Sequence, residues 1–148
     1  MASIKDILLM RFVPDRTQAG LALLRVWTGA TLFLRHGWEK QPAHWAQFMA
    51  HFPDAIGIGP HASFFFAFFS DFVCGILLIV GLGARWAALC CLANIFVAWA
   101  FVHQFAFFGK GPASDHGELI VLYLGALLAL LIAGLGAASI DRALLRKP

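Results

Sequence analysis

Arg25 and Asp71 are opposite charges, each well inside an otherwise apolar run. A charge at the centre of an apolar helix costs about 2.5–3.5 kcal/mol on insertion scales, so each needs a partner. Taken at ~1.5 Å per residue, Arg25 lies roughly 11 Å, and Asp71 roughly 16 Å, from the same end of two antiparallel helices. A long arginine side chain spans that difference. Asn94, in a third apolar run, falls at about 12 Å by the same measure. The expectation is an interior network of Arg25, Asp71 and Asn94 joined by charge-assisted hydrogen bonds. Such a network has three uses that these residues do not separate. It fixes helix register, it orients an anionic or quinone-like headgroup, or it relays protons.

A second polar layer collects toward the opposite end: His36, Glu39, His103, His116 and Glu118. His36, His103 and Glu118 are the candidates for catalytic proton handling. His36 is eleven residues from Arg25, so the two share a helix face with Gly29. Glu118, Gly125, Ala129 and Ala133 form a small-residue stripe, which predicts close helix approach and an inward Glu118. Asp115-x-x-Glu118 also fits a capping box, which would leave Glu118 a helix-starting role. His103 is nine residues from Asn94, half a turn away in phase on a regular helix, so the two are expected on opposite sides.

Metal chemistry is not indicated. His44, His51 and His61 lack the i, i+3 or i+4 spacing of a helical chelate, and Cys74, Cys90 and Cys91 form no CxxC. The three cysteines read as small apolar fillers. Gly109–Lys110–Gly111 is a turn, because no strand precedes it and no Ser or Thr follows the Lys. No basic tract points to nucleic acid.

The elements that position these groups follow from composition. Apolar residues make up 61% of the 148 and charged residues 13%, about half the charged share of soluble domains. A soluble domain of this size cannot hide so much apolar surface. Four apolar runs, at about 18–37, 62–82, 86–107 and 117–136, approach the ~20 residues that cross a bilayer. The expected fold is all-α: a single domain over 1–148, a four-transmembrane-helix bundle. Short interfacial helices are expected at the N-terminus, with Ile4, Ile7, Leu8 and Phe12 on one face, and in the first outer loop. There Trp45, Phe48, Met49 and Phe52 recur at helical spacing. No cleavable secretory signal is evident, so the first span is expected to be retained. Seven Lys and Arg flank one side (Lys5, Arg11, Arg16, Arg85, Arg142, Arg146, Lys147) and three the other (Arg35, Lys40, Lys110). The positive-inside rule then places both termini in the cytoplasm.

Several segments in order resemble the DoxX family of small bacterial membrane proteins. They are Arg25 with Gly29; His36–Gly37–Trp38–Glu39–Lys40; 55–60 (AIGIGP); 75–82 (GILLIVGL) with Arg85; Glu118; and Gly134-x-Gly136-x-x-Ser139–Ile140–Asp141. The resemblance covers nearly the whole chain and implies a four-helix bundle in the bacterial cytoplasmic (inner) membrane. It also implies a subunit of, or partner in, a quinone-linked membrane oxidoreductase system. The chain departs from the family pattern at Asp71, where a Glu is usual. No haem, flavin or metal motif is present, so quinone is the one cofactor expected, bound beside Arg25 and Asp71. The other reading is a non-catalytic accessory or assembly subunit of a larger complex, with its charges as glue. Both readings require the lipid bilayer and a protein partner or second copy. Whether the chain is itself an enzyme stays open at this point. A small transporter is disfavoured, because no inverted repeat with broken helices is visible.

Overall fold

The computed structural model describes residues 16–105, 117–134, 136 and 138–145. All secondary structure among them is helical, as expected. The expected N-terminal amphipathic helix, Asp115 and the link at 108–116 fall outside the described residues. Helix α1 runs Thr17–Leu32, widens into a π-helical turn at Phe33–Gly37 and tightens into a 3-10 turn at Trp38–Lys40. Helix α2 is Trp45–His51, α3 is Pro60–Val80, α4 is Ala84–Val102, α5 is Gly117–Ala133 and α6 is Ile140–Leu145. Helices α3 and α4 are each long and apolar enough to cross a membrane; α5 is apolar but shorter.

Helix α3 starts at Pro60, whose missing N–H costs nothing at the first turn. Asp54 secures that start, accepting from the N–H groups of Ile58 and Gly59 and from the Ser63 hydroxyl, each at 3.0 Å. The aromatic face of α2 packs on the same turn. Trp45 meets Phe64, Phe65 and Phe68 edge-on, while His44, Gln47 and His51 stay exposed. At its other end α3 stops in a left-handed Gly81, φ +74°, with Gly81 and Leu82 both donating to the Leu77 carbonyl. Helix α4 ends five residues short of the expected boundary. Gln104 and Phe105 take positive φ and turn the chain away.

Helix α1 packs antiparallel on α3, and glycine sets how closely. A Cβ on Gly29 would come 2.8 Å from the Gly75 carbonyl oxygen and the Leu78 Cβ. One on Gly37 would come 2.7 Å from the Asp71 carbonyl oxygen. Helix α4 offers α5 a small face of Ala84, Ala87, Ala88 and Cys91, into which Leu127, Leu124 and Tyr123 pack. Large α5 side chains therefore turn inward. The stripe of Glu118, Gly125, Ala129 and Ala133 is exposed, the reverse of the expectation. Large apolar side chains also cover the outer flanks, with Trp86 78% and Ile132 75% exposed, as suits a lipid-facing surface.

Replacing Gly29 by Leu should lower stability by about 1–3 kcal/mol through overpacking. Gly20→Leu, where nothing lies within 4 Å, is the control. Thermal unfolding in detergent should show a reduced melting temperature for the first variant only.

Candidate functional site

The two buried charges do not meet. Asp71 pairs with Lys40: Nζ to Oδ2 is 3.1 Å, and each side chain is 8% exposed. Asn94 Nδ2 donates to Asp71 Oδ1 at 3.1 Å, and Ser70 Oγ donates to the same oxygen at 3.3 Å. Lys40 Nζ also donates to the His36 carbonyl at 2.8 Å and to Glu39 Oε1 at 3.4 Å. Two ammonium protons thus have hydrogen-bond acceptors and the Asp71 carboxylate supplies the opposing charge, which is what a cation out of water requires. Beyond them, Arg35 Nη1 stands 4.0 Å from Glu39 Oε2. The four charges form a line of alternating sign from exposed Arg35 to buried Asp71.

Lys40 reaches Asp71 across two changes of helical pitch. The π-helical turn seats Gly37 on the Asp71 backbone, and the 3-10 turn after it swings Lys40 back over the interior. Trp45 Nε1 then donates to the Lys40 carbonyl at 2.9 Å, tying α2 to the same turn.

Arg25 lies midway along α1 and reaches the C-terminal end of α3. Its Nη2 donates to the Ala138 carbonyl at 2.8 Å, its Nη1 rests against Gly81, and the Asp141 carboxylate supplies the opposing charge. Asp141 also caps α4, accepting from Gly83 N–H at 2.8 Å and Ala84 N–H at 3.1 Å. So Arg25 locks the C-terminal segment onto the α3–α4 turn. The expected pairing fails on stagger: α1 meets α3 with Gly37 at Asp71, Gly29 at Gly75 and Arg25 at Gly81. That leaves Arg25 about ten residues of α3, roughly 15 Å, from the level of Asp71, beyond its reach.

A cavity of about 290 Å³ opens beside the Lys40–Asp71 pair. Its polar lining includes Lys40, Asp71, Asn94, His36, His103 and Tyr123, with Arg35 and Ser63 besides; the remaining wall is largely apolar, with Leu32, Ala67 and Ile95. All three π-helical segments border it: Phe33–Gly37 through His36, Phe69–Cys74 through Asp71 and Ala98–Val102 through Ala98 and Val102. Such segments gather at functional sites because the wider turn redirects side chains. That widening corrects the expected phase of His103. The π-helical turn at 98–102 lags the regular rotation and brings His103 to the same cavity as Asn94. His36 and Tyr123 meet there edge to face, with centroids 6.4 Å apart. Glu118 is exposed and does not line the cavity.

Among the described residues no group of His, Cys, Asp and Glu could hold a metal. The donor set does fit a flat ring with oxygen acceptors, since ammonium, amide, phenol and imidazole groups share one apolar chamber. Sequence reasoning missed Lys40 and Asp141. Lys40 was expected in an outer flank, although it stands four residues after His36 and so on the same face.

The DoxX family model matches residues 20–104, more than half of the chain and the part that carries Lys40, Asp71 and Asn94. No curated protein and no solved structure matches the chain.

Lys40→Met alone should cost about 3–5 kcal/mol, as should Asp71→Leu alone, because each strands a buried charge. The double variant should lose much less than the sum. A double-mutant cycle on unfolding free energy measures the difference; additive losses would mean that the two groups are not coupled.

Proposed function

Because the chain belongs to the DoxX family of membrane proteins, we propose that it holds a quinone headgroup in the cavity at the Lys40–Asp71 pair, as a subunit of or partner in a quinone-linked membrane oxidoreductase system. The observation that carries this reading is one chamber that joins Lys40, Asn94, His36, His103 and Tyr123 to a largely apolar wall. A quinone headgroup has that division: carbonyl oxygens to anchor and a ring to bury. The volume of about 290 Å³ suits one ring system, at the small end of ligand pockets. Lys40 and Asn94 would anchor the oxygens, with His36, His103 and Tyr123 as further proton-bearing neighbours. A bound quinone supplies two-electron redox chemistry, and the electrons come from or go to a partner.

The same reading has four membrane crossings. Helices α3 and α4 qualify by length and apolarity. Helix α1 with its π-helical turn covers about 30 Å, and apolar α5 runs beside α4. Helix α2 lies along the bilayer surface. Arg16, Arg85 and Arg142 are exposed at one end, where Arg142 Nη1 lies 3.4 Å from Gln18 Oε1. Lys40, being buried, leaves the opposite flank poorer in cations. That asymmetry supports the reading that both termini face the cytoplasm of a bacterial inner-membrane protein.

A second reading, a non-catalytic assembly subunit, draws on α5. Its exposed Gly125, Ala129 and Ala133 leave room for another helix, from a partner or a second copy.

Titration of the purified protein with a short-chain quinone analogue, followed by tryptophan fluorescence, should give saturable binding. Asn94→Leu should weaken it about tenfold, the value of one hydrogen bond. Arg25→Ala, far from the cavity, should leave the affinity unchanged in whatever fraction folds. No saturable binding by the unaltered protein would reject the quinone reading and favour the assembly role.

A further inference from the structure

We infer that Lys40 and Glu39 form a proton path from the aqueous face to the cavity, with Lys40 as the group that gives up the proton and Glu39 as the one that restores it. The inference rests on the quinone reading for its ligand, but its geometry stands apart from it. Lys40 is buried, lines the cavity and touches Glu39 and Asp71 with the same nitrogen. Glu39 is 40% exposed, so one carboxylate joins bulk water to a buried ammonium. A residue kept only as structural glue would need Asp71 and the His36 carbonyl. The contact to an exposed acid adds a route.

Two-electron reduction of a quinone takes up two protons, Q + 2e⁻ + 2H⁺ → QH₂, with electrons from a low-potential two-electron reductant. Lys40 Nζ gives a proton to a ring oxygen lodged beside it and becomes a neutral amine. The Glu39 carboxylate takes up a proton from water and passes it to the amine lone pair, which restores the ammonium and the carboxylate together. A second passage delivers the second proton. Asp71, held by Asn94 and Ser70, keeps the ammonium aimed and compensates its charge when it is restored. The other groups facing this path are Arg35 and His36 from α1, His103 from α4 and Tyr123 from α5. Arg35 steadies the Glu39 carboxylate from the water side.

The test uses Glu39→Gln, which keeps size and hydrogen bonding but cannot pass a proton, and Glu39→Asp, which can. In the full-length, quinone-free protein with ¹⁵N-labelled lysine, NMR should show Lys40 ammonium exchange with water slowed about 100-fold in Glu39→Gln. Exchange should be largely restored in Glu39→Asp. With a short-chain quinone bound, Glu39→Gln should keep its affinity. Dithionite reduction should slow by a similar factor. Unchanged Lys40 exchange in Glu39→Gln would overturn the path even if quinone binds normally. Normal exchange coupling without any quinone binding would retain the path and reject the ligand.

Discussion

An ammonium and a carboxylate paired at 3.1 Å, each almost wholly buried, constrain everything around them. Neither Lys40 nor Asp71 can be left without the other, because an unpaired buried ion is costlier than the pair is favourable. The contact dictates that α1 approach α3 at Gly37, where any side chain would meet the Asp71 backbone. It dictates the two changes of helical pitch that carry Lys40 inward. It also requires Ser70 and Asn94 on the free faces of the carboxylate, since one partner does not satisfy two oxygens.

The second buried cation has a different office. Arg25 is packed against Gly81 and bonded to the backbone of the returning C-terminal segment, and it borders no part of the cavity. It closes one end of the bundle, as Asp141 does from the other chain segment by capping α4. One charged cluster is thus filled by protein and the other opens on space. That contrast, more than the presence of charge, is why the ligand is proposed at the Lys40 end. The DoxX match spans both clusters up to residue 104 and does not distinguish them.

Much of this was legible in the residues. Asp71 and Asn94 were expected together and are hydrogen-bonded. The amphipathic spacing of Trp45, Phe48, Met49 and Phe52 foretold helix α2 and its buried face. What failed has one common cause: residue counting assumes uniform helices with level ends. Helix α1 is staggered against α3, so Arg25 falls at Gly81. The π-helical turn at 98–102 moves His103 out of its expected phase. Lys40 looked like a flanking charge because periodicity does not show the change to a 3-10 turn after Gly37. The α5 stripe misled for another reason. Small residues permit close approach from either neighbour, and α4 already supplied the small face.

The most direct test is a distance measurement in lipid bilayers by solid-state NMR, between ¹⁵Nζ of Lys40 and ¹³Cγ of Asp71. The account predicts a strong dipolar coupling, set by the 3.1 Å Nζ–Oδ2 contact, and none from Asp71 to the guanidinium of Arg25. Coupling of Asp71 to Arg25 instead, or to neither cation, would contradict it.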